Sequence, residues 1–157
     1  MRLVLCAAGK ARGLPEDALV VEYAKRLKVS PAGLGPLDIV EIDSKERDAA
    51  RRKADEGARL LAALPAGAPL IALDPKGKTL STEDFAATLA RLRYEGHAAL
   101  GLAIGGADGL AADVLSRARL KLSFGPMVFP HLLARVMLAE QLYRAASLLA
   151  GHPYHRG

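Results

Sequence analysis

A chain of 157 residues that is 51% hydrophobic and 25% charged has the size and composition of one globular domain, spanning 1–157, and excludes a disordered chain. Its single cysteine, Cys6, excludes an internal disulfide, and no apolar run reaches the ~18 residues of a membrane span. The net charge of +5 is uneven: residues 1–113 balance 16 Lys and Arg with 16 Asp and Glu, while residues 114–157 hold six bases against one acid, Glu140.

In chain order, RLVLCAA (2–8) reads as a strand. Its apolar stretch, Leu3 to Ala8, is too short for a signal peptide, and a buried strand thiol suits the cytoplasm. PEDALVVEYAKRLK (15–28) is a helix with Pro15 and acids at its start and bases at its end. LDIVEI (37–42) is a second strand, and a charged helix over 45–64 follows with Ser44 as its cap. PLIALD (69–74) is a third strand and PKGK (75–78) a turn. Ser81 and Asp84 resemble a capping box that opens a helix to Glu95, stopped by Gly96. AALGLAI (98–104) is a fourth strand, GGADG (105–109) a glycine-rich turn, and 111–119 a helix. LKLS (120–123) is a fifth strand, FGPMVFP (124–130) a loop, and 131–149 the last helix, with the tail GHPYHRG behind it.

Strands alternating with helices predict an α/β sandwich with a mainly parallel sheet. Ligands in such sheets sit beyond the carboxyl ends of the strands, which singles out the loops after Leu73, Ile104 and Ser123. The last helix is apolar nearly all round, which predicts cover on both sides and a homodimer built on it, or else a central core helix. The basic end suits a solvated face or a polyanion such as nucleic acid, and charge alone weighs the two equally. No Cys/His cluster has metal-ligand spacing, so no metal is expected.

Three motifs carry groups for chemistry. IGGADG allows a ligand close to the backbone, though it is neither GxGxxG nor a P-loop, and it also reads as a simple tight turn. In FPHLLAR, His131 and Arg135 share a helix face and are candidates for RNA contact, as are Arg117 and Arg119. In HPYHR, Tyr154 offers a stacking ring, His155 a proton shuttle and Arg156 a fork for phosphate, making the three candidates for catalysis.

LIALDPKGKTLSTEDFA, AIGGADGL, FPHLLARVMLAEQLYRA and GHPYHR, in this order and spacing, resemble the RlmH family, small SPOUT-class methyltransferases of 23S ribosomal RNA. The likeness is strongest from Leu70 to Arg156. It implies an α/β domain with a C-terminal trefoil knot, which the general rule against knots would reject. It implies S-adenosylmethionine as methyl donor, held by Leu73, Gly105 and the loop Phe124, Gly125, Pro126, Met127, Val128 and Phe129. Gly125 and Pro126 stand where relatives are expected to carry small polar or basic residues, and Pro126 has no N–H to donate. The resemblance also implies a homodimer and a target at N3 of a pseudouridine on the assembled ribosome. A non-catalytic RNA-binding assembly factor and a flavodoxin-like nucleotide-binding enzyme are the alternatives. AGKARG (8–13) is a poor phosphate turn for the latter.

Overall fold

The computed structural model describes residues 1–28 and 30–155, His155 by its backbone alone. Its elements are β1 (Arg2–Ala8), α1 (Pro15–Lys28), β2 (Leu37–Ile42), α2 (Ala49–Ala63), β3 (Leu70–Thr79) and α3 (Thr82–Tyr94). They continue with β4 (Ala99–Ile104), α4 (Ala112–Arg117), β5 (Leu120–Ser123), α5 (His131–Leu149) and a 3₁₀ turn at Pro153–His155. The strands form one all-parallel sheet in the spatial order β2-β1-β4-β3-β5.

β1 shows why the sheet needs helices on both faces. Every residue from Leu3 to Ala8 is apolar and buried, as a central strand covered on two sides requires. Side chains alternate. Leu3, Leu5 and Ala7 pack with Val20, Leu27, Phe85, Leu89, Leu138 and Leu142 of α1, α3 and α5. Val4 and Cys6 pack with Leu60, Leu110 and Val114 on the face of α2 and α4. Burial pushes the Cys6 thiol up to about 11, so it stays protonated and inert.

Local signals place α1, β2 and α5 where the sequence predicts them. At α3, Ser81 Oγ accepts the Asp84 N–H at 3.0 Å, and Gly96 ends the helix at φ +83°. Three boundaries differ. α2 begins at Ala49 because Asp48 caps it, accepting the Arg51 N–H at 2.9 Å. Ser44, the expected cap, instead donates to Asp55 at 2.6 Å. The expected turn at 75–78 lies inside β3: Leu122 partners both Leu73 and Lys78, so residues 74–77 bulge out of the ladder and the strand resumes. α4 covers only Ala112–Arg117, since Arg119 N–H already bonds to Leu70 O at 2.8 Å.

On one side the last helix is a core helix, one of the two roles its apolar character predicts. Its inner face, with Leu138, Ala139, Leu142, Ala145 and Ala146, is buried in the chain's own core. A charge at Leu138 or Leu142 would therefore break the fold of a single chain, not only an association. The all-round apolar character has one intramolecular half. On the other, Leu133 remains 43% exposed.

Candidate active site

The bulge of β3 and the carboxyl ends of β4 and β5 enclose a cavity of about 550 Å³, within the range of small-molecule sites. β3 contributes Leu73 with Asp74 and Pro75 from its bulge, and β4 contributes Ile104 and the turn Gly105, Gly106, Ala107 and Gly109. β5 contributes Leu122 and Ser123, and the loop behind it Phe124, Gly125, Met127, Val128, Phe129 and Pro130. His131 and Ala134, from the first turn of α5, complete the wall.

Each loop is shaped by identifiable bonds. In the glycine turn, Gly109 N–H bonds to Gly106 O at 3.0 Å. A Cβ at Gly105 would lie 2.5 Å from the Gly109 carbonyl carbon and 2.8 Å from Leu110 N, so only glycine fits there. From outside, Arg52 of α2 grips Asp108 of the same turn through Nη2 at 2.6 Å and Nε at 3.0 Å. Ser123 Oγ accepts the Gly125 N–H at 3.1 Å and lies 3.2 Å from Pro75 O, joining the loop after β5 to the bulge of β3.

Asp74 is the carboxylate among the lining residues, and His131 the titratable base. Burial, and then the Arg135 charge, hold His131 below the ordinary histidine range, so its ring is neutral at pH 7. Among the described residues the cavity thus presents apolar walls, backbone amides and one carboxylate, with no fixed cation.

The match that decides the family is a description, predicted SPOUT methyltransferase, that fits residues 1–155. The chain belongs to the SPOUT methyltransferase family. It is 55% identical over 159 aligned positions to a protein of Xanthobacter autotrophicus named ribosomal RNA large subunit methyltransferase H, with 99% of both chains covered. Proteins of the same name from Dinoroseobacter shibae and Rhodospirillum centenum are 48% and 49% identical, again over 99% of each chain.

In this SPOUT methyltransferase the expected donor residues converge, with one exception. Leu73, Gly105, Phe124, Gly125, Met127, Val128 and Phe129 line the cavity, and Pro126 does not. The candidate RNA residues separate. His131 is in the cavity wall. Arg135 is not at a surface: its side chain is 2% exposed, and it donates to Glu41 Oε1 at 3.0 Å, Ala8 O at 2.5 Å and Gly9 O at 2.7 Å. Arg117 and Arg119 lie at the opposite, amino-terminal edge of the sheet, about 10 Å away along β5. There Arg117 donates to Ala68 O, and Arg119 forks onto Glu95.

Among the tail candidates, Tyr154 docks on α5 outside the cavity. Its ring packs edge-on to Tyr143 at 4.7 Å, under the Arg144 guanidinium, and its hydroxyl donates to Glu140 at 3.4 Å. Burial and Tyr23 push the Tyr154 phenol up to about 12. The side chain of His155, and Arg156, lie outside the described residues. Of the lining residues, the site set named from the sequence left out Asp74, Pro75, Ile104, Gly106, Ala107, Gly109, Leu122, Ser123, Pro130 and Ala134. Ser123 ends β5, and Asp74 ends the predicted strand 69–74 and opens the bulge of β3, so the strand-end rule that selected the loops also reaches them; Ala134 carries no chemical signal. Among the described residues no helix is long and apolar enough to cross a membrane, and no group of three ligating side chains is placed to hold a metal.

Proposed function

We propose that this chain transfers a methyl group from S-adenosylmethionine to N3 of a pseudouridine in 23S ribosomal RNA, working in the cytoplasm as a knotted homodimer on the assembled ribosome. The observation that carries the reading is the cavity itself. Three loops far apart in sequence meet there to form a pocket of ligand size in a SPOUT methyltransferase. Relatives 48–55% identical over their full length carry the ribosomal RNA name.

The residues fit the donor. Phe124, Met127, Val128 and Phe129 suit a purine ring, the glycine turn suits close backbone contact, and a wall whose described residues carry no fixed cation suits a positively charged sulfur. When bound, the donor supplies a methyl group on a sulfonium, a good leaving group. The protein must then hold the acceptor nitrogen in line and exclude water. The imide N3–H lies between two carbonyls and must lose its proton. His155 and Arg156 are the groups we assign to that proton and to the resulting anion. Tyr154, a phenol at neutral pH, serves to stack and hydrogen-bond rather than to act as a base. Because Tyr154 rests on its own α5 away from the cavity, the tail is assigned to the cavity of the partner subunit.

The test is methylation of purified ribosomes lacking the modification, read by mass spectrometry of the rRNA, beside calorimetry with S-adenosylmethionine. Donor binding and a single new methyl on the pseudouridine are expected. Ribosome binding without donor binding would make the chain an assembly factor instead.

A further inference from the structure

Arg135 is the largest fully buried side chain in the fold, and nothing so far accounts for it. An apolar residue would fill a core position at less cost, because a guanidinium loses its hydration on burial. Here it enters the core with one hydrogen bond short, since Nε has no partner among the described residues. What the charge gains is a junction. Nη2 bonds to the carbonyls of Ala8 and Gly9, where β1 ends. Nη1 bonds to Glu41 Oε1 in β2, and the same oxygen accepts the Ala11 N–H at 2.6 Å. One side chain thus ties the ends of the two strands that do not touch the cavity to the helix turn that does.

One turn before Arg135 on the same face stands His131. A Cβ on Gly9 would lie 3.2 Å from His131 Nε2 and 3.6 Å from Arg135 Nη2, so the Gly9 backbone, at φ +86°, forms a seat for both side chains.

We propose that Arg135 and Glu41 are positioning residues for the methyl-donor cavity: their buried pair pins the first turn of α5 onto the ends of β1 and β2 and so sets His131 in the cavity wall. This rests on the cavity being the donor site. The pair also sets local charge. The charged groups of the elements packed around His131 are Arg135 from its own helix, Glu41 of β2, which is paired with Arg135, and Asp74 of β3, which lines the same cavity. Burial first and the Arg135 charge second keep the imidazole uncharged, and Glu41 balances Arg135, so among the described residues a sulfonium meets no net positive wall.

The test uses the full-length protein. NMR titration of the His131 ring without ligand is compared between wild type, Glu41→Gln, Arg135→Lys and Arg135→Met. His131 is expected to titrate at higher pH in Arg135→Met, near its wild-type pH in Arg135→Lys, and at lower pH in Glu41→Gln. Calorimetry then compares S-adenosylmethionine with S-adenosylhomocysteine, which lacks the sulfonium charge. Glu41→Gln keeps the shape of the site and should weaken the charged donor by about tenfold while changing the neutral product by less than about threefold. Equal weakening of both ligands, with an unmoved His131 titration, overturns the proposal and leaves the pair merely structural. Should Arg135→Met fail to fold, Glu41→Gln carries both readouts. Wild type that binds neither ligand refutes the donor site, and the titration in the unliganded protein still decides the pair.

Discussion

Two arginine–carboxylate pairs stand at opposite ends of the same parallel sheet. At the amino-terminal edge, Arg119 holds Glu95 with two hydrogen bonds of 2.7 and 2.9 Å, but its side chain is 45% exposed. At the carboxyl-terminal edge, Arg135 holds Glu41 with a single bond of 3.0 Å, and its side chain is 2% exposed. By geometry the first pair is better. By consequence the second matters more, because water competes for both members of the first and is excluded from the arginine of the second. An exposed pair contributes little, whereas breaking a pair with a buried member leaves the remaining charge short of partners where solvent is scarce.

The largest expected effect tests this directly. Arg135→Met should lose about 3 kcal/mol in denaturant unfolding, the low end for a broken buried pair, because Glu41 keeps the Ala11 N–H and is 28% exposed. A loss below about 1 kcal/mol would put the two pairs in one class. Next, the two edges can be compared without charge. Gly105→Ala, at the cavity, forces a Cβ to 2.5 Å from backbone and should cost about 1–3 kcal/mol while weakening donor binding at least about tenfold. Gly96→Ala, at the other edge, meets open space and should cost only the strain of its positive φ, about 1 kcal/mol, with donor binding unchanged. Equal costs would mean that the carboxyl edge is no more tightly built than the amino edge.

Arg119→Met should change stability by less than about 1 kcal/mol. If that edge contacts rRNA, the double change Arg117→Glu and Arg119→Glu should flatten the salt dependence of ribosome binding by about one to two phosphate contacts. An unchanged slope would leave these arginines as a solvated face.

The smallest effect is a pH dependence. His131 has a folded pKa below its unfolded one, so the folded state binds fewer protons. Its contribution to stability is present above the unfolded value of about 6.5 and is lost as pH falls below it. His131→Gln should flatten that part of the stability profile, and a profile that keeps its slope would assign the titration to other groups.

Most of the architecture was legible because its signals are local. The unbroken apolar run of β1, acids and bases at the two ends of α1, and the Ser81 cap need no distant partner to be read. The bulge in β3 escaped because a turn signal at 75–78 says that the chain bends, while only β5 decides that it returns to the same ladder. Ser44 was misread as a cap because its hydroxyl is claimed by Asp55, eleven residues away.

The site divides along the same line. The sequence by itself determined the alternating α/β order, the three loops at the strand ends and the family motifs, because strand direction and side-chain period place those loops on one edge. It could not determine what an arginine meets. Arg117, Arg119 and Arg135 have the same chemistry, and each read equally well as a contact for phosphate. Packing sent Arg135 into the core against Glu41 and two carbonyls, and left Arg119 in water beside Glu95. Solvent exclusion is a property of the assembled sheet and helices, so the difference between a buried junction and a solvated pair exists only in the tertiary structure.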